Sequence, residues 1–212
     1  SSGNSGGCRP KCLYHDEDGQ WLVKFRHTYD PMDMGVQEYH CNQLARRCGI
    51  EVPDFKLLND TYFASKRFDI SLDGRPLHMA TAAALLNENI YPPKTDYKVL
   101  LALTGYITQS PAEVEQMFRR MVFNVLIGNK DDHAKNFSFV HRDDGWHLAP
   151  AYDLTRCVQG YNGEHATSVM GKGTPSEADM IAVAESIRIL PTRAREIICE
   201  LRTMIEGSGG AT

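Results

Sequence analysis

The chain has 212 residues, a hydrophobic fraction of 42%, a charged fraction of 24% and a net charge of −4. That length suffices for one good-sized domain or two small lobes with a buried core. The signs of charge are interspersed, no basic run is present and no apolar stretch reaches the length of a bilayer span. Neither direct nucleic-acid binding nor membrane insertion is therefore indicated.

The cysteines Cys8, Cys12, Cys41, Cys48, Cys157 and Cys199 form no Cys-x-x-Cys pair. They read as reduced thiols of a cytoplasmic protein rather than zinc ligands or a disulfide framework.

In chain order, residues 1–12 are small, Gly-rich and polar and end on Arg9 and Lys11. Two apolar runs around Asp18-Gly19, the second through Trp21, Leu22, Val23, Lys24 and Phe25, predict a β-hairpin. Helical spacing over Met34–Cys48, stopped by Gly49, predicts a helix. Phe55–Leu58 and Tyr62–Phe68 predict short strands around Asn59-Asp60. Residues 76–86 read as a small-residue helix broken by Tyr91-Pro92-Pro93, and no element is assigned from there to Ser110. Ser110-Pro111-Ala112-Glu113 has the pattern of a capping box with a proline start. The apolar stripe Val114, Met117, Phe118, Met121, Val122, Val125 and Leu126 then predicts a buried helix. A second hairpin is expected from Phe137 and Phe139 to Trp146 and Leu148 across Asp143-Asp144-Gly145. A capping box at Thr174–Glu177 opens a helix through Ala184, and a last helix runs from about Thr192 to Ile205. The fold class is α+β in two lobes. An N-lobe covers residues 1–69, a mainly helical C-lobe residues 70–206, and residues 207–212 form a disordered tail.

The densest polar stretch, Gly128–Asn136, reads GNKDDHAKN and lies between the buried helix and the second hairpin. A solvated turn uses the same residue types. Asp131 and Asn136, however, have the D-x-x-x-x-N spacing by which protein kinases place a catalytic base and a neutral oxygen ligand for magnesium. Asp153, after the second hairpin, stands where a second, anionic metal ligand is needed. At the other end of the chain, Gly6 and Gly7 offer backbone N–H groups that can approach phosphates. Lys24 is a charged residue inside an apolar strand, suited to phosphate oxygens, with Glu38 on the next helix as its candidate partner.

The run Phe123–Ser138 together with Leu148–Leu154 resembles the HipA family of bacterial toxin kinases, as do Gly7–Lys11, Trp21–Phe25, Lys66–Asp69 and Ser168–Gly173. The likeness covers nearly the whole chain in the same order. It implies a two-lobed protein-kinase-like fold with a small β-rich N-lobe. It also implies ATP- and Mg2+-dependent phosphorylation of Ser/Thr on a translation factor such as an aminoacyl-tRNA synthetase, and neutralisation by a small helix-turn-helix antitoxin. Carried over residue by residue, Asp131 is the catalytic base. Asn136 and Asp153 hold the metal, Lys24 reaches the ATP phosphates, the backbones of Lys66 and Phe68 bond adenine, and Asp69 and His133 lie near the ribose.

Family members carry a further segment before the glycine loop, so either a longer protein or a separate N-lobe subunit is implied. The loop serine that autophosphorylates in the family is replaced by Asn4, flanked by Ser2 and Ser5. Two other readings stand beside this one. The first is a small-molecule or lipid kinase on the same scaffold. The second is a kinase-like binding module without turnover, against which the intact set Lys24, Asp131, Asn136 and Asp153 argues.

Overall fold

The computed structural model describes residues 10–25, 31–87, 95–157, 160 and 162–208. The glycines Gly6 and Gly7, the serines Ser2 and Ser5, Asn4, Cys8 and the 91–93 break lie outside the described residues.

The first expected hairpin is β1 (Lys11–Asp16) and β2 (Gly19–Lys24), antiparallel with Asp16 opposite Gly19. β1 is the exposed edge of a four-stranded sheet ordered β1-β2-β4-β3, where β3 is Phe55–Leu58 and β4 is Tyr62–Lys66. Helix α1 (Met34–Arg47) packs on β3 and β4. It approaches so closely that a Cβ on Gly35 would lie 2.1 Å from the Thr61 carbonyl oxygen, a distance no side chain tolerates. The sheet's own buried cluster is Trp21, Val23 and Ala64.

The remaining elements build around a larger core. Short strand β5 (Met79–Thr81) leads into a single helical turn, α2 (Ala82–Leu85). This corrects the expected helix over 76–86. Met79, Ala80 and Thr81 pair with Val140, Phe139 and Ser138, and this tertiary pairing overrides the helical propensity of Met and Ala. Helix α3 (Tyr97–Thr108), capped by the Asp96 side chain on Lys98 N, fills the stretch that the sequence reading left unassigned.

Helix α4 (Pro111–Ile127) starts at Ser110, whose hydroxyl accepts from Glu113 N at 3.3 Å, and stops at Gly128 with φ +70°. The box is only half closed, because the Glu113 carboxylate is turned away to Leu148 N and His147. The second hairpin is β6 (Ser138–Arg142) and β7 (Gly145–Leu148), which with β5 makes a three-stranded sheet ordered β5-β6-β7. Helix α5 (Glu177–Ser186) has its capping box at Ser176 and Asp179, two residues beyond the expected start. Helix α6 (Pro191–Ser208) continues past Ile205 into the stretch expected to be tail.

Tyr97, Leu100, Leu101, Met117, Phe118, Met121, Phe123, Phe139, Ile197 and Leu201 are fully buried within one cluster. Cys41, Ala45 and Cys48 of α1 join the same cluster, so α1 is shared between the four-stranded sheet and the helical body. Arg119 fastens this junction, donating to Cys48 O at 3.1 Å and to Glu200 of α6 at 3.0 Å. Among the described residues no helix is long and apolar enough to cross a membrane.

Candidate functional site

Lys24 ends β2 and points inward, 9% exposed, where its ammonium pairs with Glu38 of α1 and with Asp153. These three residues come from three separate parts of the chain. Burial alone would lower the Lys24 ammonium, but the two carboxylates outweigh it and hold the group above its ordinary value. Glu38 is itself buried at 2% exposure and Asp153 is 36% exposed. Asp153 is therefore the member of the triad that faces open space.

Lys24 and Asp153 border a pocket of about 420 Å³ between the four-stranded sheet and the segment after β7, and Glu38 lies behind them. Among the described residues Lys11, Lys24, Lys66 and Arg67 line it, against two carboxylates, Asp69 and Asp153. That charge excess on an otherwise apolar wall of Leu22, Phe63 and Phe68 suits a flat apolar group carrying a polyanion. The Lys66 N–H is committed to Asp54 O at 2.7 Å. The Phe68 ring stacks on Tyr152 with centroids 6.0 Å apart. Asp69 sits at the mouth in a two-pronged pair with Arg67, both contacts 2.8 Å, and this pairing holds its carboxyl below the ordinary range.

The GNKDDHAKN stretch is delivered by α4, leaves it through a left-handed Gly128 and closes in a 3-10 turn, Ala134–Asn136. The Asp131 side chain is 52% exposed, with His133 Nε2 3.2 Å from its Oδ1. The Asn136 amide donates to Asp131 O at 2.8 Å, which fixes the side chain and leaves its carbonyl oxygen as the ligand atom. Asn136 and Asp153 line one small cleft. Asp153 borders both this cleft and the large pocket, so it is the joint between them. Its backbone is left-handed at φ +55°, a strained geometry that persists at sites where function demands it. Asp132 and Arg120 also line this cleft, but the Asp132 carboxylate is taken up by Tyr97, His165 and Thr167, which leaves the Asp153 carboxylate and the Asn136 carbonyl as donors fit for a hard divalent cation whose other ligands come from phosphate.

The structure thus brings Lys24, Lys66, Phe68, Asp69 and Asp153 to one pocket, with Glu38 behind Lys24, and Asn136 to the adjoining cleft. Asp131 and His133 pair with each other and line neither the pocket nor the cleft.

Two features went unread in the sequence. Tyr152 donates to Lys135 O at 2.9 Å and meets the Ser138 hydroxyl, pinning the turn that carries Asn136. Burial pushes its phenol up to about 12. Asp132, fully buried, meets Tyr97 OH at 2.8 Å, His165 Nδ1 at 2.9 Å and Thr167 N at 3.2 Å.

The model of the HipA-like C-terminal domain matches residues 3–208. Y4dM of Sinorhizobium fredii, for which a kinase activity is proposed, is 29% identical over 171 residues, 71% of this chain and 41% of that protein. A Haemophilus influenzae protein with the same proposed activity is 24% identical over 157 residues, 66% of this chain and 46% of its own length. The chain therefore spans less than half the length of these two relatives.

Among solved structures, a chain of the Shewanella oneidensis complex of HipA, HipB and operator DNA superposes with a TM-score of 0.79 at 17% identity. The match covers 98% of this chain and 57% of that one. The Helicobacter pylori proinflammatory kinase CtkA superposes at 0.59 and 17% identity, covering 92% and 88%. These likenesses show a mixed α/β kinase-like fold. With the family match running over all but the ends of the sequence, this chain belongs to the HipA-like C-terminal domain family.

Proposed function

We propose that the chain is the catalytic part of an ATP- and Mg2+-dependent serine/threonine protein kinase. The observation that carries the reading is the Lys24–Glu38–Asp153 triad, with Lys24 and Asp153 on the pocket wall, Glu38 buried behind them and Asp153 also lining the cleft of Asn136. In this reading Lys24 binds phosphate oxygens of ATP while Glu38 holds it in place, and Phe68 with Tyr152 supports the base. Asn136 and Asp153 would hold Mg2+, which supplies charge neutralisation at the transferring phosphoryl group. Asp131, half exposed and tied to Asn136 through its backbone carbonyl, would orient the acceptor hydroxyl and take its proton as the phosphoryl group transfers.

We further propose the two-lobed division at residue 69 and a cytoplasmic site of action. The acceptor in this proposal is a translation factor such as an aminoacyl-tRNA synthetase. A small helix-turn-helix antitoxin restrains the kinase, and a separate subunit or preceding segment completes the N-lobe. Support for the antitoxin is the Shewanella neighbour, solved with HipB.

The test is thermal unfolding of the chain titrated with ATP, with and without Mg2+. The expected result is a metal-dependent rise in Tm that Asp153→Ala abolishes and Asp131→Asn keeps, with Asp131→Asn losing ATP turnover. A Tm that ignores nucleotide and metal in the parent chain would sink the reading.

A further inference from the structure

The residue beside the proposed base is buried more completely than any other carboxylate described. Asp132 has no exposed surface, whereas the Asp131 side chain is half exposed. Three elements converge on it. Tyr97, the first residue of α3, places its hydroxyl 2.8 Å from Oδ2. His165 Nδ1 lies 2.9 Å from the same oxygen, and Thr167 N donates to Oδ1 at 3.2 Å. The Thr167 hydroxyl also donates to the Asp132 backbone carbonyl.

The network does not end at Asp132. Asn124 of α4 donates to the Tyr97 hydroxyl at 3.0 Å, and Asn129, at the start of the loop, donates to Asn124 Oδ1 at 3.0 Å. Both ends of the Asn129–Asp132 stretch are thus tied to the same buried pair, Tyr97 and Asn124. Ala166 N bonds Lys130 O at 3.1 Å and Lys130 N bonds Cys157 O at 3.0 Å, so Cys157 and Ala166 hold the loop from its other side. Burial and the neighbouring carboxylate push the Tyr97 phenol well above its ordinary value, which keeps it a donor at every working pH.

A carboxylate taken wholly out of water needs such partners, and Asp132 has them on both of its oxygens. Here the arrangement fixes the backbone one peptide from Asp131. Asp132 is turned inward with no exposed surface while the adjoining Asp131 side chain is half exposed, so the buried contacts of the one hold the peptide that carries the other.

We infer that Asp132 is a positioning residue: its buried contacts with Tyr97, His165 and Thr167 set the direction of Asp131 and couple the base to the 165–167 segment. This rests on Asp131 being the base. No residue of the network borders the pocket of Lys24, while Asp132, Asn124 and Asn129 line the small cleft beside Asn136 and Asp153, so the network should bear on the loop and its cleft far more than on the nucleotide pocket.

The experiment compares ATP turnover, Tm and amide hydrogen exchange for the parent chain, Asp131→Asn, Asp132→Asn and Tyr97→Phe. Asp132→Asn should lower kcat about a hundredfold, the scale of a misplaced catalytic group, with KM for Mg·ATP changing far less, by about tenfold at most. Its Tm rise with Mg·ATP should persist. Amides of residues 129–137 should lose protection while those of α6 keep theirs. Tyr97→Phe, which folds with one donor fewer, should lower kcat about tenfold in the same pattern.

If Asp131→Asn is inactive while Asp132→Asn and Tyr97→Phe keep the parent kcat, the positioning role is wrong and the site reading stands. If Asp131→Asn itself keeps the parent kcat, the site reading fails. Should Asp132→Asn not fold, Tyr97→Phe decides. An unchanged kcat there, or unchanged exchange in 129–137, overturns the inference.

Discussion

The four-stranded sheet and the helical body are held together in different ways. The body has one large apolar cluster in which α3, α4 and α6 contribute fully buried side chains. The sheet has a cluster of Trp21, Val23 and Ala64 and leaves its edge strand β1 exposed. It makes up the difference with charge. Lys56 lies 4.0 Å from the Trp21 ring centroid and 2.6 Å from Asp16, Arg46 lies 4.5 Å from the Phe55 ring centroid, and Lys24 bridges two carboxylates. Charge-held layers give way at lower free energy than apolar cores, so the pocket lies between a firm wall and a yielding one.

The largest effect should come from the firm side. Leu101→Ala, in the centre of the body, is expected to cost about 2–5 kcal/mol in chemical denaturation and to speed exchange of body and sheet amides together. Lys24→Met comes next. It strands the buried Glu38 carboxylate and should cost about 3 kcal/mol, most of which a second change, Glu38→Gln, restores. Val23→Ala should cost only about 1–2 kcal/mol, and its faster exchange should be confined to the sheet. Equal spread of the Val23 and Leu101 effects through the whole chain would break the comparison.

The smallest effect is a pH dependence. His147 sits between Glu113 at 2.8 Å and Asp144 at 2.9 Å, and these two carboxylates raise it above its ordinary value of 6.5. A raised folded-state value means the stabilisation is fully present below 6.5 and is lost as pH climbs through the folded value. With the ring about a third exposed, screening keeps the effect under about 1 kcal/mol. The Tm difference between the parent and His147→Gln should therefore shrink as pH rises from about 6 to about 8. A difference that grows over that range would reverse the sign of the argument.

Periodicity and turn chemistry made most of this fold legible before any coordinates. Both hairpins announced themselves through an Asp-Gly between apolar runs, and α4 through Ser110-Pro111. Helix α3 was illegible for the opposite reason. YKVLLALTGYIT is apolar nearly all round, so no polar face marks its period, and its cap at Asp96 is a single residue. Strand β5 could not be read because its conformation is imposed from β6 rather than by its own residues.

At the site, residue types and spacing pointed to Lys24, Glu38, Asn136 and Asp153, which the fold gathers at the pocket and its cleft. The same spacing was silent about Asp132. Its partners Tyr97, His165 and Thr167 lie more than thirty positions away, and only a folded chain brings them within reach.

The Glu113 carboxylate, diverted from its own helix to Leu148 N and His147, closes a span of 35 residues into a ring clasped by hydrogen bonds. Everything from the helix that carries GNKDDHAKN to the end of the second hairpin lies inside that ring. Tension applied to the two ends of the polypeptide would run through the clasp and bypass the enclosed loop. In a single-molecule pulling trace, Glu113→Gln should therefore merge the release of this span with the rupture of its surroundings, where the parent chain keeps it as a separate later step.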